Sequence, residues 1–243
     1  MESISIVHKG AEVRFNTVNE MTAWRARTAM SKEPSTIAWI DEMSAGEVML
    51  DIGANVGLYS LCAARFRGAR VFAFEPESQN FALLNANIYS NALHDSVLAY
   101  CVALSDETRF DSLYVSNFVP GASCHAFGES LTPDGEPLNA AFRQGCFATT
   151  VDALTAAGVL PVPRHIKIDV DGIEHKVIRG AAKTLADRTV RSVLVEINGK
   201  RDDHWGIVDF MLEQGFNYSE EERERALRTA GPFAGTGNYV FRR

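Results

Sequence analysis

The chain has 243 residues, 46% apolar and 23% charged, values ordinary for a folded globular protein that exclude wholesale disorder and collagen-like or coiled-coil structure. Lys and Arg total 24 against 31 Asp and Glu; the net charge of −7 repels phosphate backbones, so no general nucleic-acid partner is expected. Its uncharged apolar runs are too short to span a bilayer, its first residues lack a secretory apolar core, and its four cysteines show no Cys-x-x-Cys spacing. A cytoplasmic protein with reduced thiols is the expectation. Residues 1–47 read as an N-terminal extension. It holds a hairpin (4–7 and 12–16), then amphipathic helices around Trp24 and over 37–43, candidates for a lid or a homodimer contact.

From residue 48 short apolar runs alternate with helical periods. Residues 48–52 predict a buried strand, and 57–67 a helix carrying Leu58, Leu61, Cys62 and Phe66. Residues 70–75 predict a strand, 78–90 a helix with Phe81, Leu84 and Ile88 on one stripe, and 97–104 a third strand. Residues 105–149 are rich in Gly, Pro, Ser and Asn and carry no clear period. Ordering so long an irregular segment costs conformational entropy, so residues of about 107–148 are expected to form a lid or substrate-binding insertion. A fourth strand (164–169), a helix with Val177, Ile178, Ala181 and Leu185, a fifth strand (190–196) and a helix over 204–214 follow. Residues 216–218 and 236–242 are two more strand candidates with no convincing helix between them. The alternation predicts one α/β domain over 48–243: a Rossmann-like, doubly wound, mostly parallel seven-stranded sheet in a three-layer sandwich, with an antiparallel C-terminal edge.

Leu50-Asp-Ile-Gly-Ala-Asn-Val-Gly57 sits where the first sheet strand turns into its helix. Glycines there let the backbone approach a ligand closely. Glu75 follows 18 residues after Gly57, where a carboxylate accepts from a ribose diol and repels a 2′-phosphate. Asn55 stands where a dinucleotide loop has its middle glycine, so pyrophosphate fits poorly. Asp51 suits an ammonium group, and a ligand with a nucleoside end and an amino-acid end satisfies both acids; S-adenosylmethionine is such a ligand. A nucleotide-dependent oxidoreductase is the rival of another class, disfavoured by Asn55 and by the lack of a Tyr-x-x-x-Lys pair. A non-catalytic cofactor-binding module is a third option.

Asp51-Ile-Gly-Ala-Asn-Val-Gly57 resembles motif I of class I S-adenosylmethionine-dependent methyltransferases. Phe74-Glu-Pro-Glu-Ser-Gln-Asn80 with Asn85 and Asn87, Ala103-Leu-Ser-Asp106, Thr149-Thr-Val-Asp152 and Ile166-Lys-Ile-Asp-Val-Asp-Gly-Ile-Glu174 resemble the FkbM family over about residues 45–220. The resemblance implies methyl transfer to an oxygen, often a hydroxyl of a sugar, glycan or natural product. N- or C-methylation of a small molecule or protein is the alternative. It also implies that Asp51, Gly53, Asn55 and Gly57 hold the methionine part and Glu75 the ribose. Ser105 and Asp106 would flank the adenine, and Pro76 and Asn80 would shape the pocket. Asp171 departs from the Glu that the family often has.

In an open parallel sheet ligands bind beyond the carboxyl ends of the strands, where Asp169 and Glu196 fall. Lys167 shares a strand face with Asp169, and Asn198 and His204 follow Glu196 closely. Asp169, Glu196, Lys167 and His204 are therefore the candidate catalytic groups, with a carboxylate as general base toward a hydroxyl. Asp169, Glu196 and Asn198 are also hard oxygen ligands suited to magnesium, and an ion-paired structural network is the third use of these acids. Asp171, Glu174 and His125 are the candidate substrate contacts. No Gly-x-Ser-x-Gly elbow supports hydrolase chemistry.

Overall fold

A computed structural model describes residues 2–243. The chain begins with a hairpin, β1 (Glu2–His8) and β2 (Ala11–Thr17), turned by Lys9 and Gly10, both in the left-handed region that tight hairpins require. Helix α1 (Glu20–Thr28) starts at Asn19, whose side chain accepts from the Thr22 amide while Thr22 answers the Asn19 amide, a reciprocal cap. Helix α2 (Pro34–Asp41) opens on a proline, which needs no amide partner there.

The sheet strands and helices then alternate: β3 (Val48–Ile52), α3 (Leu58–Arg67), β4 (Arg70–Phe74), α4 (Ser78–Ser90) and β5 (Val97–Tyr100). Four strands, β6 (Ala103–Leu104), β7 (Arg109–Val115), β8 (Ala126–Phe127) and β9 (Phe142–Thr149), follow, with α5 (Val151–Ala156) after them. The second half holds β10 (His165–Ile168), α6 (Glu174–Gly180), α7 (Ala182–Ala186), β11 (Ser192–Asn198), α8 (Asp202–Glu213), α9 (Glu220–Ala226) and β12 (Thr236–Arg242). The main sheet has the order β12-β11-β10-β3-β4-β5, parallel except for β12. Successive strand residues face opposite layers. Met49, Val71 and Ala73 pack under α2, α3 and α4, whereas Leu50, Ile52, Phe72 and Ile168 pack under α5 to α8. Burial on both faces is why apolar residues dominate β3 and β4. The chain leaves β3 toward β4 on one side and returns to β10 on the other, so the β3–β10 boundary is the switch point where a crevice opens.

Five expectations are corrected. Among the described residues the main sheet has six strands, not seven: Asn217 makes only an isolated bridge to Arg242. Ser219 then accepts from the Glu222 amide and turns the chain into α9, a helix that was not expected. Glu-Glu-Glu-Arg-Glu-Arg-Ala has no buried residue, so no apolar stripe betrays it. The strand expected over 97–104 splits, because β6 leaves the main sheet to pair with β9. Residues 105–149 are not irregular. They build most of a second sheet, ordered β6-β9-β7-β8, over a small core of Leu113, Val115, Phe127 and Ala148. Exposed Phe110 and Phe142 break the apolar alternation that would have revealed it. The helix expected through Leu185 breaks at Ala181.

The N-terminal extension is stitched to the sheet layer by polar contacts. Asn91 accepts from the Arg14 amide (2.8 Å) and Asn87 from the Asn16 amide (2.8 Å), while Trp39, 1% exposed, donates to Ser192 (2.7 Å). Among the described residues no helix is long and apolar enough to cross a membrane.

Candidate functional site

A cavity of about 510 Å³ opens at the carboxyl ends of β3, β4 and β10. Gly53 and Asn55 form its base after β3, Glu75 and Pro76 after β4, and Asp169 and Asp171 after β10. Phe74, Val102, Leu104, Leu113, Phe127 and Ile173 form an apolar wall. Trp24, Arg25, Lys32 and Glu33 reach in from the N-terminal extension, and Arg228 and Phe233 from the segment after α9.

Gly53 is dictated by space. Its φ is +81°, and a Cβ there would lie 1.8 Å from the Asp169 carbonyl oxygen. Asn55, also left-handed at φ 51°, donates its backbone amide to Glu75 (2.8 Å) and its side-chain amide to the Ala122 carbonyl (2.7 Å). Buried Asn80 donates to the same carbonyl and accepts from the Gly121 amide. Asn19 and Arg25 hold the neighbouring carbonyls of Pro120 and Gly121. Residues 120–122 thus form a strap across the glycine loop. Glu75 accepts amides from Asn55 and Glu77, yet burial outweighs these donors and pushes its carboxyl up to about 7.

The acids beside β10 differ in their surroundings. Lys167 is 1% exposed, with its ammonium 3.1 Å from Asp169 and 3.5 Å from Asp51. Burial alone would pull that ammonium down, but the charges of Asp169, Asp51 and Glu33 hold it above its ordinary value. Burial likewise opposes ionisation of Asp169, and the adjacent Lys167 overrides it and keeps the carboxyl below its usual range. Asp171 sits in the left-handed region at φ 60° and accepts the Cys124 amide at 2.7 Å. Burial and the Asp169 charge push it up to about 6. The same two causes raise Glu196 well above the carboxylate range, although Arg228 donates to it at 2.7 Å. Glu33 ends lower than usual: burial and Asp169 push it up, but Lys32, Lys167 and Arg228 prevail.

Of the expected site residues, Gly53, Asn55, Glu75, Pro76, Asn80, Asp169, Asp171, Glu196 and His125 line this cavity. Others stand elsewhere. Asp51 is fully buried below the loop, held by Ser60 (2.6 Å) and Lys167, and Lys167 is enclosed with it. Gly57 caps α3, where a Cβ would meet Leu84 at 2.4 Å, so its role is packing. Ser105 and Asp106 turn away, with Asp106 paired to Arg179, and Val102, Ala103 and Leu104 make the wall in their place.

Glu174, His204 and Asn198 belong to a brace outside the cavity. Glu174, fully buried, accepts the amides of Val170 and Gly172, though burial still pushes it up to about 7. His204 accepts the Asn198 amide (3.1 Å) on Nδ1 and lies 3.4 Å from Glu174 through Nε2; burial pushes it down to about 4. Removing the Glu174 carboxylate would strand two amides at the turn that carries Asp171. Glu174→Ala is therefore expected to lower stability by about 3 kcal/mol in thermal or urea unfolding, against almost no change if the turn pinned itself.

Asp169, Glu196 and Asn198 do not gather as a magnesium ligand set. The Asn198 side chain donates to Asp134 (2.8 Å) and accepts from Lys200, while Glu196 faces Arg228. Among the described residues the one group with ligand spacing is His175, Asp203 and His204, where Arg201 already grips Asp203 with two nitrogens. Sequence reasoning missed Arg25, Lys32, Glu33, Arg228 and Phe233, which no periodicity marks. Trp24 joins them, its ring 44% exposed at the cavity.

Comparison with known proteins gives a consistent result. Residues 51–218 match the methyltransferase FkbM domain family. The hexuronic acid methyltransferase AglP of Haloferax volcanii is 26% identical over 194 residues, covering 79% of this chain and 73% of that protein. The 31-O-demethyl-FK506 methyltransferase FkbM of Streptomyces tacrolimicus is 26% identical over 208 residues, covering 74% and 76% respectively. The crystal structure of methyltransferase FkbM from Methylobacillus flagellatus KT shares the fold with a TM-score of 0.56 at 15% identity. That match covers 83% of this chain and 44% of the other.

Proposed function

The chain belongs to the FkbM methyltransferase family, and on that premise we propose that it is an S-adenosylmethionine-dependent O-methyltransferase acting on a hydroxyl of a sugar, glycan or natural-product small molecule. The observation that carries this reading is the joining of the Gly53 turn to Glu75 at one cavity, opposite a group of acids with divergent proton affinities. The residues fit the cofactor. A cavity of about 510 Å³ takes a ligand of that size, Gly53 leaves its backbone bare, and each Glu75 oxygen keeps a lone pair for a ribose hydroxyl. The apolar wall of Phe74, Val102 and Leu104 suits an adenine ring. When bound, the cofactor supplies an activated methyl group on a sulfonium centre.

The chain's own residues then position the acceptor and move its proton. Asp171 Oδ2 is committed to the Cys124 amide, which leaves Oδ1 to take the hydroxyl proton as the new bond forms. Glu196, held by Arg228 on Oε1, leaves Oε2 at the cavity wall to hydrogen-bond the acceptor. His125 lines the cavity and accepts the Ser116 amide on Nδ1, so in the neutral ring Nε2 carries the hydrogen. Trp24 and Phe233, each partly exposed at the cavity, supply aromatic surface of the kind sugar binding uses. The relatives named for a hexuronic acid and for 31-O-demethyl-FK506 support an acceptor of this kind.

Calorimetric titration of EDTA-treated protein with S-adenosylhomocysteine tests the cofactor. Binding without added magnesium is expected, weakened about tenfold or more in Glu75→Ala. Silence toward it alongside a clear NADH signal would overturn the reading in favour of an oxidoreductase.

A further inference from the structure

Arg25 and Lys32 lie outside residues 51–218, which carry the family match, yet both line the main cavity and a narrow recess that continues it over the glycine loop. Gly53, Asn55, Tyr59, Glu33, Asp169 and Lys167 bound the same recess, with Lys167 already paired to Asp169 at 3.1 Å. The cations here are not equivalent. Lys32 is 3.1 Å from Glu33, and Arg228 reaches Glu33 at 3.1 Å and Glu196 at 2.7 Å. Arg25 makes no ion pair among the described residues. Its Nε donates to the Gly121 carbonyl at 2.5 Å, which fixes the guanidinium plane and leaves its terminal nitrogens free. A half-buried guanidinium with no carboxylate in ion-pair contact is a good anion receptor, because its fork matches a carboxylate and is already oriented.

Asp169, ionised beside Lys167, lines the recess together with Arg25 and Lys32. A recess lined by both a cation and an anion is complementary to a zwitterion, and an α-amino acid end is one. Resting on the methyl-donor reading above, we propose that Arg25, with Lys32 beside it, binds the α-carboxylate of the cofactor's methionine end, while Asp169 faces its ammonium. The ammonium role expected of Asp51 passes to Asp169, since Asp51 is sealed beneath the loop. The N-terminal extension thereby becomes part of the cofactor site. Because Arg25 also holds the strap at Gly121, the carboxylate and the strap are read by one side chain.

The test compares two ligands on the full chain by calorimetry. S-adenosylhomocysteine carries the amino-acid end; 5′-methylthioadenosine has the same nucleoside and thioether without it. Arg25→Gln and Lys32→Gln are each expected to weaken S-adenosylhomocysteine about tenfold or more and to leave 5′-methylthioadenosine within about twofold. Arg25→Lys, which keeps the charge and gives up the Gly121 bond, is expected to fall between. Equal loss for both ligands would assign the effect to the strap and overturn the proposal. Unchanged affinity for both in Arg25→Gln would overturn it too, leaving the guanidinium to an anionic group on the acceptor. A wild-type chain that binds neither ligand sinks the methyl-donor reading itself, a result distinct from either of these. Thermal midpoints of the variants guard against misfolding, and Lys32→Gln touches no strap contact.

Discussion

Asp171→Asn is expected to lower the turnover number by about 10²- to 10⁴-fold while leaving S-adenosylhomocysteine affinity nearly unchanged. The substitution suits the question because it alters little else. Asn tolerates the left-handed conformation that Asp171 adopts at φ 60°, and an amide oxygen still accepts the Cys124 amide. What it removes is the ability to take a proton. Burial and the neighbouring Asp169 charge bring that carboxyl up to about 6, close to the pH at which a general base works best. The sign of the pH dependence follows. The base form is the active form, so wild-type turnover should rise as pH climbs through about 6 and then level off. The Asn variant should lack that rise. A pH series of S-adenosylhomocysteine release, with a saturating acceptor, reads both features. A variant that keeps its turnover, or keeps the inflection, would take the base role away from Asp171.

Gly53→Ala is expected to reduce cofactor affinity at least about 100-fold and to destabilise the fold by more than about 3 kcal/mol. Two penalties add at this position. The φ of +81° already strains a residue with a Cβ, by about 1–2 kcal/mol. In addition the new carbon would lie 1.8 Å from the Asp169 carbonyl oxygen and 2.9 Å from its carbon. Backbone at a strand end cannot swing away as a side chain would, so β3 and β10 must separate at the switch point. That moves Asp169 and Asp171 together with the loop that faces the cofactor. Gly46 supplies the control, because it has the same φ of +81° and nothing within 4 Å of its missing Cβ. Gly46→Ala should therefore show the dihedral strain alone. Equal unfolding midpoints for the two variants, with binding retained in Gly53→Ala, would refute the steric account.

The sequence by itself determined the elements whose signals are local. Apolar strand runs, helical stripes and the turn glycines depend on neighbours a few residues away, so the parallel core, α3, α4 and α8 could be read directly. The pairing of the glycine loop with Glu75 was legible for the same reason: a strand end and the next strand end stand in fixed relation in a βαβ unit. Where a segment's burial came from distant partners, the reading ran out. The β7–β9 pair hides behind exposed Phe110 and Phe142, and α9 has no buried face at all. Only the tertiary structure decided which charges share the site. Glu33, Asp169, Glu196 and Arg228 come from four separate stretches of chain, and their ionisation depends on mutual distance and burial. The strand positions of Lys167 and Asp169 were visible in the sequence. That Asp51 lies sealed beneath the loop while Asp169 reaches the cavity follows from how the glycine loop closes over the strand ends, and no spacing encodes that.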